Sequence, residues 1–160
     1  MAYQQKINWS DPSKGIDQVS FTMEPVKTAV LDYHVQIEGE LDDIINLQLR
    51  DPEAFKITGF ARKVALVRAL IGRTPDDEIW LVVNKLNEFR NKFAHGTPSP
   101  ETLQKYSEEL LDQVRKIWPP FSPNPADNEQ GQRLQILGQA MFAIRRFFRE
   151  INAALAKPTS

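Results

Sequence analysis

Three times in this chain a side-chain oxygen stands directly before a proline: Asp51-Pro52, Thr74-Pro75 and Ser99-Pro100. The oxygen can accept from a free N–H of an opening helix, and proline at the first helical position loses nothing by lacking an N–H. Each pair is therefore a helix start and is costly in a helix interior or a central strand. Thr74 is reinforced by Asp76, Asp77 and Glu78, carboxylates that suit the positive end of a helix. A denser proline run, Pro119-Pro120-Phe121-Ser122-Pro123-Asn124-Pro125, rules out regular structure and predicts a stiff crossover over residues 119–130.

Between these marks apolar residues recur at three- and four-residue spacing. A first helix runs from Pro25 to about Arg50 with Val30, His34 or Tyr33, Ile37, Leu41, Ile44 and Leu47 facing the core. Glu38, Glu40, Asp42 and Asp43 form its acidic outer face. Thr58-Gly59 interrupts the next segment, whose firm part is Phe60, Val64, Val67, Leu70 and Ile71, ending at Gly72, with Arg62, Lys63 and Arg68 outside. A third helix, Pro75 to about Ala94, buries Ile79, Val82, Val83, Leu86, Phe89 and Phe93. A fourth, Pro100 to Trp118, buries Leu103, Tyr106, Leu110, Val114 and Ile117. The last, about Gln132 to Ala156, carries Leu134, Leu137, Met141, Ile144, Phe147 or Phe148, Ile151 and Leu155. Its basic side holds Arg133, Arg145, Arg146, Arg149 and Lys157 against Glu150. Arg145, Arg146 and Arg149 are expected to be solvated and to pair with Glu38–Asp43, the alternative being to bind phosphates or a partner's acidic helix. Trp80 and Trp118, near helix ends, are expected in the core. Period-two alternation is absent, so the fold class is all-α, a bundle of about five helices. Residues 1–24 lack a sustained period and are read as an irregular arm ahead of a single domain, 25–160.

Composition narrows the function. With 41% hydrophobic and 26% charged residues over 160 positions, the chain is globular rather than disordered. Its net charge of -1 exerts no general pull on polyanions, so a nucleic-acid partner needs a local patch. The absence of cysteine excludes disulfides, thiolate metal sites and a cysteine nucleophile. No leader-like start and no long uncharged apolar stretch is present, so a cytoplasmic chain without a membrane partner is expected.

Arg90-Asn91-Lys92-Phe93-Ala94-His95-Gly96 closes the third helix with a cation, an amide and one of only two histidines. Basic residues followed by glycine also end many helices for dipole and backbone reasons alone. In a continuous helix Arg90 and His95 diverge by about 140° with a rise of about 7.5 Å. They converge on one group only if the helix ends near Ala94 or a second chain supplies the complement. Asn87 and Asn91 lie one turn apart with Arg90 between them.

The segment Leu86-Asn87-Glu88-Phe89-Arg90-Asn91-Lys92-Phe93-Ala94-His95-Gly96 resembles the signature of the HEPN superfamily, Arg-x4–6-His with a polar residue after the arginine. Residues 28–118 are diffusely similar to the mannitol-repressor-like branch. The resemblance implies an all-α bundle, a homodimer with facing motifs and metal-independent RNA cleavage of toxin–antitoxin or phage-defence type. Arg90, Asn91 and His95 would be catalytic, Asn87 and Lys92 would bind RNA, and neither metal nor cofactor would be needed. An antitoxin-like protein partner is implied as well. Other members imply the alternative, a non-catalytic interaction module or transcriptional regulator.

The chemistry suits the residues. Metal-free RNA cleavage needs a base for the 2′-hydroxyl and a cation for the phosphorane-like transition state. Imidazole, with an ordinary pKa of about 6.5, and the guanidinium fork fill those roles. Asn91 can orient either group. His34, Glu38 and Asp42 share a helical face at metal-ligand spacing, but no second histidine accompanies them, and His34 reads as structural.

Overall fold

The computed structural model describes residues 25–54, 56–73 and 77–156. Five α-helices follow in order: α1 Pro25–Gln48, α2 Phe60–Ile71, α3 Glu78–Ala94, α4 Pro100–Ile117 and α5 Glu129–Leu155. No strand occurs among the described residues, and the all-α bundle expected from the apolar spacing is what forms. The expected arm, residues 1–24, and the Thr74-Pro75 cap lie outside the described residues.

Helix α1 packs against α2, α3 and α5, while α4 closes the bundle against α3 and α5. Packing between α2 and the rest of the bundle is confined to α1. The core joins Val30, Ile37, Leu41 and Ile44 of α1 to Val82, Val83, Leu86 and Phe89 of α3, Leu110 and Val114 of α4, and Leu137, Ile144 and Phe148 of α5. Trp80 is fully buried and meets Phe147 edge-on, with ring centroids 5.6 Å apart, and Phe148 at 6.0 Å. Such aromatic contacts add to the hydrophobic effect because ring edges and faces carry opposite partial charge.

The cap–proline pairs fare differently. Ser99 caps α4: its Oγ accepts from Thr102 N at 3.2 Å, with Pro100 at the first helical position. Asp51 Oδ1 likewise accepts from Ala54 N at 3.1 Å, yet only an isolated turn follows. The local signal is the same, but no core-facing apolar period continues the turn before Gly59. Helix α3 starts at Glu78, with Asp77 at its N-cap and Arg73 3.7 Å from the Asp77 carboxylate.

Several expected positions are corrected. Leu47 is 57% exposed and Ile45 takes its place in the core. Of the two alternatives on α1, His34 is buried and Tyr33 half-buried. Trp118 is 46% exposed, at the C-cap where the chain leaves α4. Helix α5 begins at Glu129, three residues early, because Asn128 Oδ1 caps Gly131 N at 2.8 Å. Arg133 of α5 is buried, reaching Gln104 Oε1 at 3.4 Å and Glu129 Oε2 at 3.3 Å.

The proline-rich segment joins two helices that pack directly on each other. It is pinned to α5: Asn124 N donates to Gln135 Oε1 at 2.7 Å, and Gln135 Nε2 donates to the Asp127 carboxylate. Arg115 Nε donates to Phe121 O at 3.3 Å, tying the segment to α4 as well.

Candidate functional site

Helix α2 leans on α1 and leaves α3 uncovered near its C-terminal end, which opens a cavity of 670 Å³ between the three. Its chemistry comes from His34 and Glu38 on α1, Arg62 on α2, and Asn87, Arg90 and Asn91 on α3. The i, i+3 and i+4 spacing of the α3 residues puts all three on one strip. Thr58 and Gly59 form the lip. Gly59 has φ +96°, a conformation that side chains rarely adopt, and this turn delivers Phe60 onto His34 with ring centroids 4.2 Å apart.

His34 is 7% exposed and its Nε2 donates to Asn87 Oδ1 at 3.0 Å. Burial holds its pKa below the ordinary value, against the Asn87 hydrogen bond; Arg90 pushes the same way as burial and Glu38 opposes it. The imidazole is therefore a neutral buried donor whose partner, Asn87 on α3, local spacing does not reveal. Arg90 is half-buried, its Nη1 donating to Asn91 Oδ1 at 3.2 Å. No carboxylate lies within ion-pair distance of Arg90 or Arg62 among the described residues.

The acidic face of α1 is not merely solvated. Lys63 Nζ donates to Glu38 Oε1 at 2.9 Å and to Asp42 Oδ2 at 2.8 Å, with the Lys63 side chain 11% exposed. A bound ammonium thus occupies the His34–Glu38–Asp42 face, and no three-residue metal-ligating group occurs among the described residues. The pairing expected between this face and the last helix is replaced by Lys63. Arg146 instead pairs with Glu150 on its own helix at 3.2 Å, while Arg145 and Arg149 border a separate groove with Tyr33 and Met141.

Arg90 and Asn91 come together as the motif suggests, and Asn87 joins them. His95 stands apart. It is the exposed C-cap of α3, with φ −105° and ψ 12°, outside the cavity lining. These angles carry the chain on around the helix, and Gly96 at φ +128° makes the reversal one residue later. Lys92 also points elsewhere, with its Nζ 5.5 Å from the Tyr106 ring centroid on the α4 side. Sequence reasoning missed Arg62, whose only signal was an unpaired cation after Gly59, and His34 as a member of this cavity.

Fold and cavity together define a class: an all-α five-helix domain with a cation- and amide-lined cleft. Neither protein-family models, curated proteins nor solved structures give a match to the chain. Among the described residues no helix is long and apolar enough to cross a membrane.

Proposed function

We propose that this protein is a metal-independent endoribonuclease of HEPN type, acting as a homodimer. The observation that carries the reading is Arg90: a half-buried guanidinium at a cavity wall, braced by Asn91 and without a carboxylate partner among the described residues. A cation kept partly out of water and unneutralised suits a ligand that brings its own negative charge. The resemblance of residues 86–96 to the HEPN signature supplies the reaction class.

In this mechanism a base removes the 2′-hydroxyl proton, O2′ attacks phosphorus, and the P–O5′ bond breaks. The products are a 2′,3′-cyclic phosphate and a 5′-hydroxyl end that takes up a proton. Arg90 stabilises the charge gathered on the phosphoryl oxygens, with Asn91 holding its fork in place. His95 moves the protons. Because His95 lies outside the cavity that Arg90 lines, in this reading the two act across a dimer, one chain supplying the guanidinium and the other the imidazole. An antitoxin-like protein that covers the cleft fits a toxin or phage-defence role.

A second reading, the non-catalytic interaction module or regulator, is favoured by one observation: the exposed Trp118 and Phe142 border a single apolar groove between α4 and α5. Exposed aromatics sharing a groove are common at protein interfaces. Cleavage assays on a broad RNA panel separate the two. Arg90→Ala and His95→Ala should each lower activity by about a hundredfold or more, insensitive to EDTA, and Arg90→Lys should also fail substantially. Inert wild-type protein, or a strict monomer at micromolar concentration that still cleaves, overturns the dimeric nuclease.

A further inference from the structure

We propose that His34 is a positioning residue which, through Asn87, makes the α1–α2–α3 cavity a donor-rich seat for a phosphate group held by Asn87 and Arg62 beside Arg90. This names the substrate group at the site described under the proposed function and depends on that reading only for the ligand being RNA.

Hydrogen-bond polarity carries the inference. An asparagine amide presents one acceptor and two N–H donors. His34 Nε2 donates to Asn87 Oδ1, so the Asn87 oxygen is turned toward α1 and its NH2 group is left for the cavity. Arg90 has only donors to offer, so its hydrogen bond to Asn91 Oδ1 likewise leaves the Asn91 NH2 unspent. Arg62 and Arg90 add two guanidinium groups. Glu38, the single carboxylate in the lining, is held by Lys63, which Asp42 shares. Around the seat three cations stand against two carboxylates, both of them engaged.

With Glu38 already engaged, the groups left to a ligand are mostly donors, which disfavour a cation and leave most neutral polar ligands with unmatched N–H groups. They match an oxyanion. The donors lie on two walls, Arg62 on α2 and Asn87, Arg90 and Asn91 on α3, so the ligand must present acceptors in several directions. A tetrahedral phosphate does so, whereas a carboxylate offers two coplanar oxygens. The 670 Å³ cavity is larger than a bare phosphate and leaves room for the ester it belongs to.

His34 does not touch this ligand. Its burial, its stacking on Phe60 and its contact with Asn87 fix the amide before anything binds. Preorganised donors bind charge without first reorganising. Losing that brace should cost about tenfold in affinity, the upper end of the scale for one neutral hydrogen bond.

The test titrates the full-length protein with two probes, inorganic phosphate and an uncleavable 2′-O-methyl oligoribonucleotide. Affinity is read by calorimetry, and the Asn and Arg side-chain N–H signals by NMR. The expected result is saturable binding with shifts at Asn87 and Arg90; whichever probe binds tighter identifies a free or an esterified phosphate. His34→Phe keeps the ring but not the donor, and should weaken binding about tenfold. His34→Gln, whose amide nitrogen can replace Nε2, should restore it. Asn87→Asp should abolish binding. Arg62→Gln, exposed and away from the core, should weaken binding even if the His34 variants fold poorly. The proposal falls if neither probe saturates, if His34→Phe binds like wild type, or if the shifts map to the α5 arginines. RNA cleavage without phosphate binding here leaves the nuclease standing and removes the seat; binding without cleavage does the reverse.

Discussion

Replacing Lys63 by Met keeps the side-chain stem and deletes only the charge. In the native protein the Lys63 ammonium makes two ionic hydrogen bonds, 2.9 Å to Glu38 and 2.8 Å to Asp42. Each such bond is worth about 1.5–3 kcal/mol when fully shielded. Here the partners are 34% and 46% exposed, which lowers the return to about 1 kcal/mol apiece. Part is given back because the ammonium no longer has to be desolvated. A net loss of about 1–2 kcal/mol follows, with Glu38 and Asp42, one helical turn apart, now repelling each other. Urea unfolding followed by far-UV circular dichroism should show a lower midpoint at an unchanged slope. Adding Glu38→Gln and Asp42→Asn to Lys63→Met should recover most of the loss, because no uncompensated charge remains. Burial works against the Lys63 charge, but the hydrogen bonds to Asp42 and Glu38 outweigh it and raise its pKa. The contribution is therefore fully present at neutral pH and is lost as pH climbs through that raised value. Stability of Lys63→Met within about 0.3 kcal/mol of wild type at pH 7, or a triple variant no better than the single one, would refute this account.

Two further perturbations read other parts of the molecule. Phe148→Ala should cost about 3–5 kcal/mol, since a fully buried ring touching Trp80 and Phe147 leaves a cavity; a calorimetric loss below about 1.5 kcal/mol would show that the core collapses around it. The lowered pKa of His34 means that the unfolded chain binds a proton more readily than the folded one, so stability contributed at neutral pH should fall as pH drops below about 6.5 toward the folded value. His34→Gln should remove that part of the slope in urea midpoints measured against pH, and an unchanged slope assigns it elsewhere.

Legibility in the sequence followed the range of each interaction. Ser99-Pro100 gave the start of α4 because the cap, the proline and the bonded N–H lie within four residues. Asp51-Pro52 made the same local bond and still opened no helix, since continuation depends on apolar residues that reach a core. Leu47 and Ile45 illustrate the limit of period counting near a helix end, where both registers fit a spacing of three or four. The cavity was half legible: Asn87, Arg90 and Asn91 share one helical strip, whereas His34 meets Asn87 across 53 residues and Lys63 meets Glu38 across 25. Such partners follow from how helices pack, which no local pattern encodes. The partner of Arg133, Gln104, likewise lies on another helix.

Because α2 is seated on α1 alone, the two walls of the cleft answer to different demands. Along α3 the strip carrying Asn87, Arg90 and Asn91 alternates with Leu86, Phe89 and Phe93, so a backbone shift there disturbs the whole interior. Across the gap Thr58, Ala61 and Arg62 are exposed and face few neighbours. Substitution of Thr58 or Ala61 should alter the surface of the cleft while leaving the melting temperature nearly untouched. One wall of the cleft is thus free to vary at its surface, while the other is tied to the core.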